Sequence, residues 1–117
     1  ALQSVGLSRN DIYMTNAVKH FKWTPAGSRR LHKKPSAREE AACRPWFDAE
    51  LAVVRPTVIL CLGATAAQAL LGKGFRITQE RGRRKSTGFC DAVIATYHPS
   101  AVLRAPDVDA MAEMRRL

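Results

Sequence analysis

The sequence predicts an α/β domain of three layers, α/β/α, around a mostly parallel central sheet. Three observations predict it. The order of local patterns is strand, loop, helix, strand, helix, strand, helix, the alternation that builds layered α/β folds. Two largely apolar runs, Thr57-Val58-Ile59-Leu60-Cys61-Leu62 and Asp91-Ala92-Val93-Ile94-Ala95-Thr96-Tyr97, lack polar alternation. They read as strands buried on both faces, as in a parallel sheet. Polar punctuation follows the strands, at Thr15-Asn16, at Gly63-Ala64-Thr65 and at His98-Pro99-Ser100.

Residues 11–18 are β-rich and read as the first strand. Residues 19–38 change character. They hold Lys19, Lys22, Arg29, Arg30, Lys33, Lys34 and Arg38 with no acidic residue, and Pro25, Gly27, Ser28 and Pro35 break any regular pattern. A basic loop over residues 20–36 is expected, and loops of that length in small domains tend to be functional. Ser36-Ala37-Arg38-Glu39 is a capping box that starts a helix over 37–54. Ala41, Ala42, Trp46, Phe47, Leu51 and Val54 are expected on its buried side. Pro45 should bend that helix or split it. Arg55-Pro56 ends it. After the second strand, residues 66–71 form a short helix stopped by Gly72 and Gly74. A basic turn over 81–85, the third strand, a short helical piece near Ser100 and a helical tail from Val108 complete the order.

The length, 117 residues, is that of one domain. No apolar run is long enough to span a bilayer, and the start lacks the basic-then-apolar pattern of a signal peptide. Lys plus Arg is 19 and Asp plus Glu is 10, a net charge of +9. That balance points to a polyanionic partner, nucleic acid before membrane. Cys43, Cys61 and Cys90 make an odd count without a C-x-x-C pair. A disulfide framework is not expected, and Cys61 and Cys90 read as core.

Ligands of α/β sheets gather beyond the carboxyl ends of the strands. There His98 can donate to a substrate carbonyl or stabilise an anion, or serve as a turn histidine bonded to backbone. Asn16 offers one acceptor and two donors, enough to read a nucleobase edge, though turns use Asn for the same groups. His32 stands among Arg29, Arg30, Lys33 and Lys34. Neighbouring cations favour its neutral, nucleophilic form. The alternative is a solvent-facing residue in a phosphate-binding loop. His20 and Cys43 are possible metal ligands, but two are too few for a closed site. Paired carboxylates, a G-x-S-x-G elbow and a P-loop are all absent, which argues against two-metal phosphoryl chemistry.

Four motifs in order resemble the family 4 uracil-DNA glycosylases. They are Thr15-Asn16-Ala17-Val18-Lys19, Ala41-Ala42-Cys43-Arg44-Pro45-Trp46, Leu62-Gly63-Ala64-Thr65-Ala66-Ala67, and His98-Pro99-Ser100 with Leu103-Arg104. The stretch Ser28-Arg29-Arg30-Leu31-His32-Lys33-Lys34-Pro35-Ser36 resembles the signature loop of the UdgX-type branch. The resemblance implies an enzyme of base excision repair that flips deoxyuridine out of single- or double-stranded DNA. It implies that Asn16 reads uracil and that His98 bonds its carbonyl and stabilises the departing anion. It implies DNA contacts from Arg29, Arg30, Lys33, Lys34, Ser100, Leu103 and Arg104, with phosphates also held by the turn over 81–85. His32 would capture the sugar C1′ and leave the protein covalently linked to DNA.

The resemblance further implies a [4Fe–4S] cluster in the full-length protein, ligated by His20, Cys43 and two further residues upstream. The family's N-terminal cysteine pair, its Gly-Glu-Gln-Pro-Gly-type loop and its first strand are not in this sequence. Residues 1–117 therefore read as the C-terminal two-thirds of a chain of roughly 200 residues, with an exposed sheet edge and little activity alone. A monomer in the bacterial cytoplasm, associated with the nucleoid, is expected. A hydrolytic family 4 enzyme and a non-catalytic basic DNA-binding module are the competing readings.

Overall fold

A computed structural model describes residues 2–19 and 23–116 and, at His32, the backbone. Two single 3₁₀ turns, Gln3–Val5 and Arg9–Asp11, open the chain. The first strands are β1 (Trp23–Ala26) and β2 (Arg29–His32), followed by α1 (Ala37–Val54). Next come β3 (Ile59–Leu62), α2 (Ala64–Leu71), α3 (Ile77–Glu80) and β4 (Val93–Thr96). Helices α4 (Pro99–Leu103) and α5 (Val108–Arg115) close the order.

The α/β class holds, and the sheet is small. Strands β3 and β4 pair in parallel, Ile59 with Val93 through Leu62 with Thr96. They are joined by α2 and α3, the crossover that parallel strands require. The far edge of β4 meets an antiparallel bridge at Lys85, whose N–H and carbonyl both bond Val93 at 2.8 Å. Gly82 N–H adds a bond to the Ala95 carbonyl.

The core lies on one face of this pair. Cys61, Ala67, Phe75, Cys90, Val93 and Ala95 are buried together, with Ile59, Leu70, Leu71 and Ile77 against them. Burying Phe75 and Val93 contributes about 1.5–3 kcal/mol each. Burial also pushes the Cys61 thiol up to about 11, so it stays protonated and inert. Expected burial of β3 on both faces is not what the fold shows. Leu60 and Leu62 are 42% and 38% exposed. The helices that pack most closely on these strands are α2 and α3, and the other face is only partly covered, with Ile94 and Thr96 half-buried.

Helix α1 starts at the expected box. Glu39 N–H donates to Ser36 Oγ at 3.3 Å, and Ser36 N–H to Glu39 Oε2 at 2.6 Å. It is not split at Pro45. The buried stripe Cys43, Phe47, Leu51 runs past the proline on one face and keeps the two halves in register. The expected buried side is only partly right. Phe47 and Leu51 are buried, but Ala41, Ala42, Trp46 and Val54 are exposed, Trp46 at 69%. The stripe is rotated toward Cys43, because the helix is docked by charged residues on its flank. Arg44 donates to the Ala69 carbonyl and to Asp48, and Glu40 pairs with Lys73.

Two further expectations are corrected. Residues 11–18 form no strand: a 3₁₀ turn ends at Asp11 and unpaired extended backbone follows. A strand needs a ladder partner, and here alternate side chains, Tyr13 and Thr15, bond Glu50 of α1 instead. The basic loop is a hairpin. Ala26 pairs with Arg29 and Trp23 with His32 around a two-residue turn. Gly27 sits there at φ +61°, as the first position of a type II′ turn requires. No helix among the described residues is long and apolar enough to cross a membrane.

Candidate functional site

The parallel strands end side by side at Leu62 and Thr96. Gly63 follows the first, and its N–H bonds the Thr96 carbonyl at 2.8 Å. Its φ of +92° and ψ of 166° lie in a region essentially reserved for glycine. A Cβ placed on Gly63 would stand 3.1 Å from the His98 Cβ. The backbone of the first strand end is thus the floor against which His98 rests.

His98 occupies the N-cap of α4 with Pro99 as the first helical residue. Its Nδ1 accepts the Ser100 N–H at 3.1 Å and lies 2.7 Å from Ser100 Oγ. A backbone N–H is always a donor, so Nδ1 carries no proton in the neutral ring. The proton then sits on Nε2, which is left to donate. Arg104 Nη2 donates to Ser100 Oγ at 3.3 Å, fixing the hydroxyl from behind. The backbone-bonded reading is what the structure shows, and that bond selects the tautomer with its proton on Nε2. Leu103, one residue before Arg104, is 74% exposed at the end of α4.

Asn16 lies on the exposed segment tied to α1. The tie is Glu50, a residue the sequence reading passed over. Its carboxylate accepts from Lys19 Nζ at 2.5 Å, Thr15 Oγ1 at 2.9 Å and Tyr13 OH at 3.3 Å. Lys19 also donates to Thr15 and lies over the Phe47 ring. The bond from Lys19, ahead of those from Thr15 and Tyr13, holds the Glu50 carboxyl below the usual range. A lowered folded value stabilises the tie above the ordinary glutamate range, and the tie is lost as pH falls through the lowered value. Glu50→Gln at neutral pH is expected to lower the protection factor of the Lys19 amide, which donates to Cys43 Sγ, on the order of tenfold, and the native protein's protection factor there should fall likewise once pH drops through the lowered Glu50 value. The signal in the sequence was an acid one turn from Trp46 in a strongly basic chain.

Cys43 is buried and receives the Lys19 N–H at 3.4 Å from Sγ. An N–H directed at sulfur suits a thiolate ligand. His20, its expected co-ligand, lies outside the described residues. Among the described residues no group of three or more His, Cys, Asp or Glu is arranged to hold a metal. The described residues thus supply one sulfur donor with suitable surroundings and not a closed site.

The cations divide into two groups. In the turn over 81–85, Arg81, Arg84 and Lys85 have internal partners. Arg81 bonds Glu113 and the Arg116 carbonyl and stacks on Tyr97, Lys85 pairs with Glu80, and Arg84 donates to the Asp91 carbonyl. In and beside the hairpin, Arg29, Arg30, Lys33 and Lys34 are exposed, and no ion pair among the described residues engages them. No hydrogen bond or ion pair among the described residues links these four to Asn16 or His98. The His32 imidazole lies outside the described atoms; its Cα is the partner of Trp23.

The family model for the uracil DNA glycosylase superfamily matches residues 1–116. The chain belongs to that superfamily. It is 36% identical to a type-4 uracil-DNA glycosylase of Thermotoga maritima over 104 residues, 88% of this chain and 50% of the relative. It is 34% identical to one from Archaeoglobus fulgidus, over 92% of this chain and 54% of the relative. A third, from Pyrobaculum aerophilum, is 32% identical over 91% and 54%. The chain therefore spans about half the length of the curated relatives it matches.

Proposed function

We propose that the intact protein is a uracil-DNA glycosylase. Family membership supports this reading, and one observation carries it: an exposed histidine at the end of a parallel strand whose Nδ1 is committed to a backbone N–H, so that the neutral ring carries its proton on Nε2. In the proposed reaction the C1′–N1 bond of an extruded deoxyuridine breaks. Its electron pair goes to the uracil ring, and His98 Nε2–H bonds the carbonyl where that charge collects. Asn16 reads the uracil edge from the segment that Glu50 ties down. Ser100, Leu103 and Arg104 meet the strand beside the extruded base, and Arg29, Arg30, Lys33 and Lys34 take phosphates.

For the sugar, the sequence resemblance supports the UdgX-type outcome. A nitrogen of neutral His32 bonds C1′ as the base leaves, and the ring proton passes to solvent. No water adds, so the protein remains attached. Held in contact, an imidazole outcompetes water by proximity. A [4Fe–4S] cluster would take Cys43 and His20 with two ligands outside this sequence, and it would cross-link the entry to the hairpin with α1. Residues 1–117 are proposed to be a partial domain with little excision activity alone. The substrate reading is uracil-containing DNA, and the protein is proposed to act as a monomer.

The type-4 names of the relatives favour a second reading, hydrolytic release that leaves a free abasic site. Incubating the intact protein with a uracil-containing single strand and resolving the products on a denaturing gel separates the two. The expected result is a shifted protein–DNA band that His32→Ser abolishes. Uracil release without a shifted band from the native protein selects hydrolysis.

A further inference from the structure

Hairpins in small domains ordinarily bury one face, and this one does not. Trp23, Ala26, Arg29, Arg30 and Leu31 are exposed, and Thr24 is half-buried. Trp23 keeps 41% of its surface in solvent and Leu31 55%. Packing among the described residues therefore does not account for a tryptophan here. Arg30 lies over it, its guanidinium carbon 4.6 Å from the ring centroid. The two are diagonal partners across the ladder, since Arg30 pairs with Pro25 and Trp23 with His32. The tight turn at Gly27 holds that geometry. An exposed indole braced by a guanidinium, among cations that no described acid neutralises, has the composition of a stacking platform for unpaired bases.

We infer that Trp23, braced by Arg30, stacks an unpaired base of a single DNA strand, so that the hairpin gives the protein a preference for single-stranded over duplex substrate. This rests on the reading of the protein as one that acts on DNA, and it adds a specificity determinant to that reading. Duplex bases are already stacked on each other and offer no open π-face to an indole. Phosphate contacts, by contrast, serve both forms. The hairpin's aromatic pair therefore discriminates where its cations do not.

The experiment measures binding of the intact protein to two uracil-free probes, a short oligo-dT strand and a blunt mixed-sequence duplex, by fluorescence anisotropy across a salt series. Trp23→Ala is expected to weaken single-strand binding about tenfold, to leave duplex binding unchanged and to keep the salt slope. Trp23→Phe, which retains a ring, should restore most of the affinity and shows that the hairpin still forms. Arg29→Gln should weaken both probes and flatten the salt slope by roughly the share of one phosphate contact. Equal losses on both probes with Trp23→Ala, or no loss on either, overturn the inference. The glycosylase reading fails separately. A protein that releases no uracil yet shows the Trp23-dependent preference refutes that reading and leaves the platform standing.

Discussion

Replacing His98 by Asn should lower uracil release by the intact protein on the order of a hundredfold to a thousandfold while α4 stays in place. The choice of Asn matters. His98 is both an N-cap and the proposed donor to the leaving base, and an alanine would remove both at once. Loss of a cap alone costs about 1 kcal/mol. Asn is among the best capping residues, and its side-chain oxygen takes the Ser100 N–H as Nδ1 does now. What Asn removes is the Nε2–H; its own amide N–H2 stands one bond short of that position. Thermal stability near that of the native protein, with single-turnover release slowed to this degree, separates the chemical role from the structural one. Release within a few-fold of native would show that the histidine is there for its cap. His98→Ala should lose the same activity and some stability besides.

Ser100→Ala probes the same arrangement from behind. The Ser100 N–H remains, so Nδ1 keeps its backbone donor, while the hydroxyl that Arg104 holds is lost. A smaller loss than at His98 is expected, because the tautomer is set by the backbone bond.

Much of the local structure around the candidate site is legible in the sequence, and the parts that are not have physical causes. The capping box at Ser36 and Glu39 announces α1 because it depends on two side chains three residues apart and on nothing distant. The apolar run ending at Leu62 announces a strand, and the stretch over 66–71 announces a helix whose observed start is two residues earlier, at Ala64. Residues 11–18 misled because alternation reports which side chains share a face, not what that face meets. Tyr13 and Thr15 do alternate, but onto Glu50 of a helix. The hairpin was hidden by Pro25 and its dense charge, although Gly27 followed by Ser28 is an acceptable II′ turn. The exposure of Trp46 and the burial of Cys43 depend on how α1 is rotated, and Arg44 and Glu40 set that through residues of α2 and the turn beyond it. The internal use of Arg81 and Lys85 was illegible for a similar reason, since Glu113 lies more than thirty positions from Arg81. Motif resemblance singled out His98 and Asn16 as candidates and passed over Glu50, which stands in none of the motifs.

Gly63→Ala should combine a stability loss of about 1–3 kcal/mol with a drop in uracil release on the order of tenfold to a hundredfold. Two effects are superimposed there. The backbone at φ +92°, ψ 166° is strained for any residue with a Cβ. The added methyl would also meet the His98 Cβ at 3.1 Å, an atom close to the backbone that cannot swing aside as a long side-chain end can. Gly72 separates them. It sits at the other end of α2 with φ +95° and ψ 158°, nearly the same strain, but nothing lies within 4 Å of its would-be Cβ. Gly72→Ala is therefore expected to lose a comparable amount of stability and to keep its activity. The difference between the two alanines isolates the displacement of His98, and it should appear in the rate of base release more than in substrate affinity, since the donor is needed most as charge develops on the uracil. If both variants lose activity in step with stability, Gly63 is a strand-to-helix joint and nothing more. If only Gly63→Ala slows release, the glycine is what allows the first strand end to approach the histidine, and the Leu-Gly-Ala-Thr motif owes its second residue to that approach.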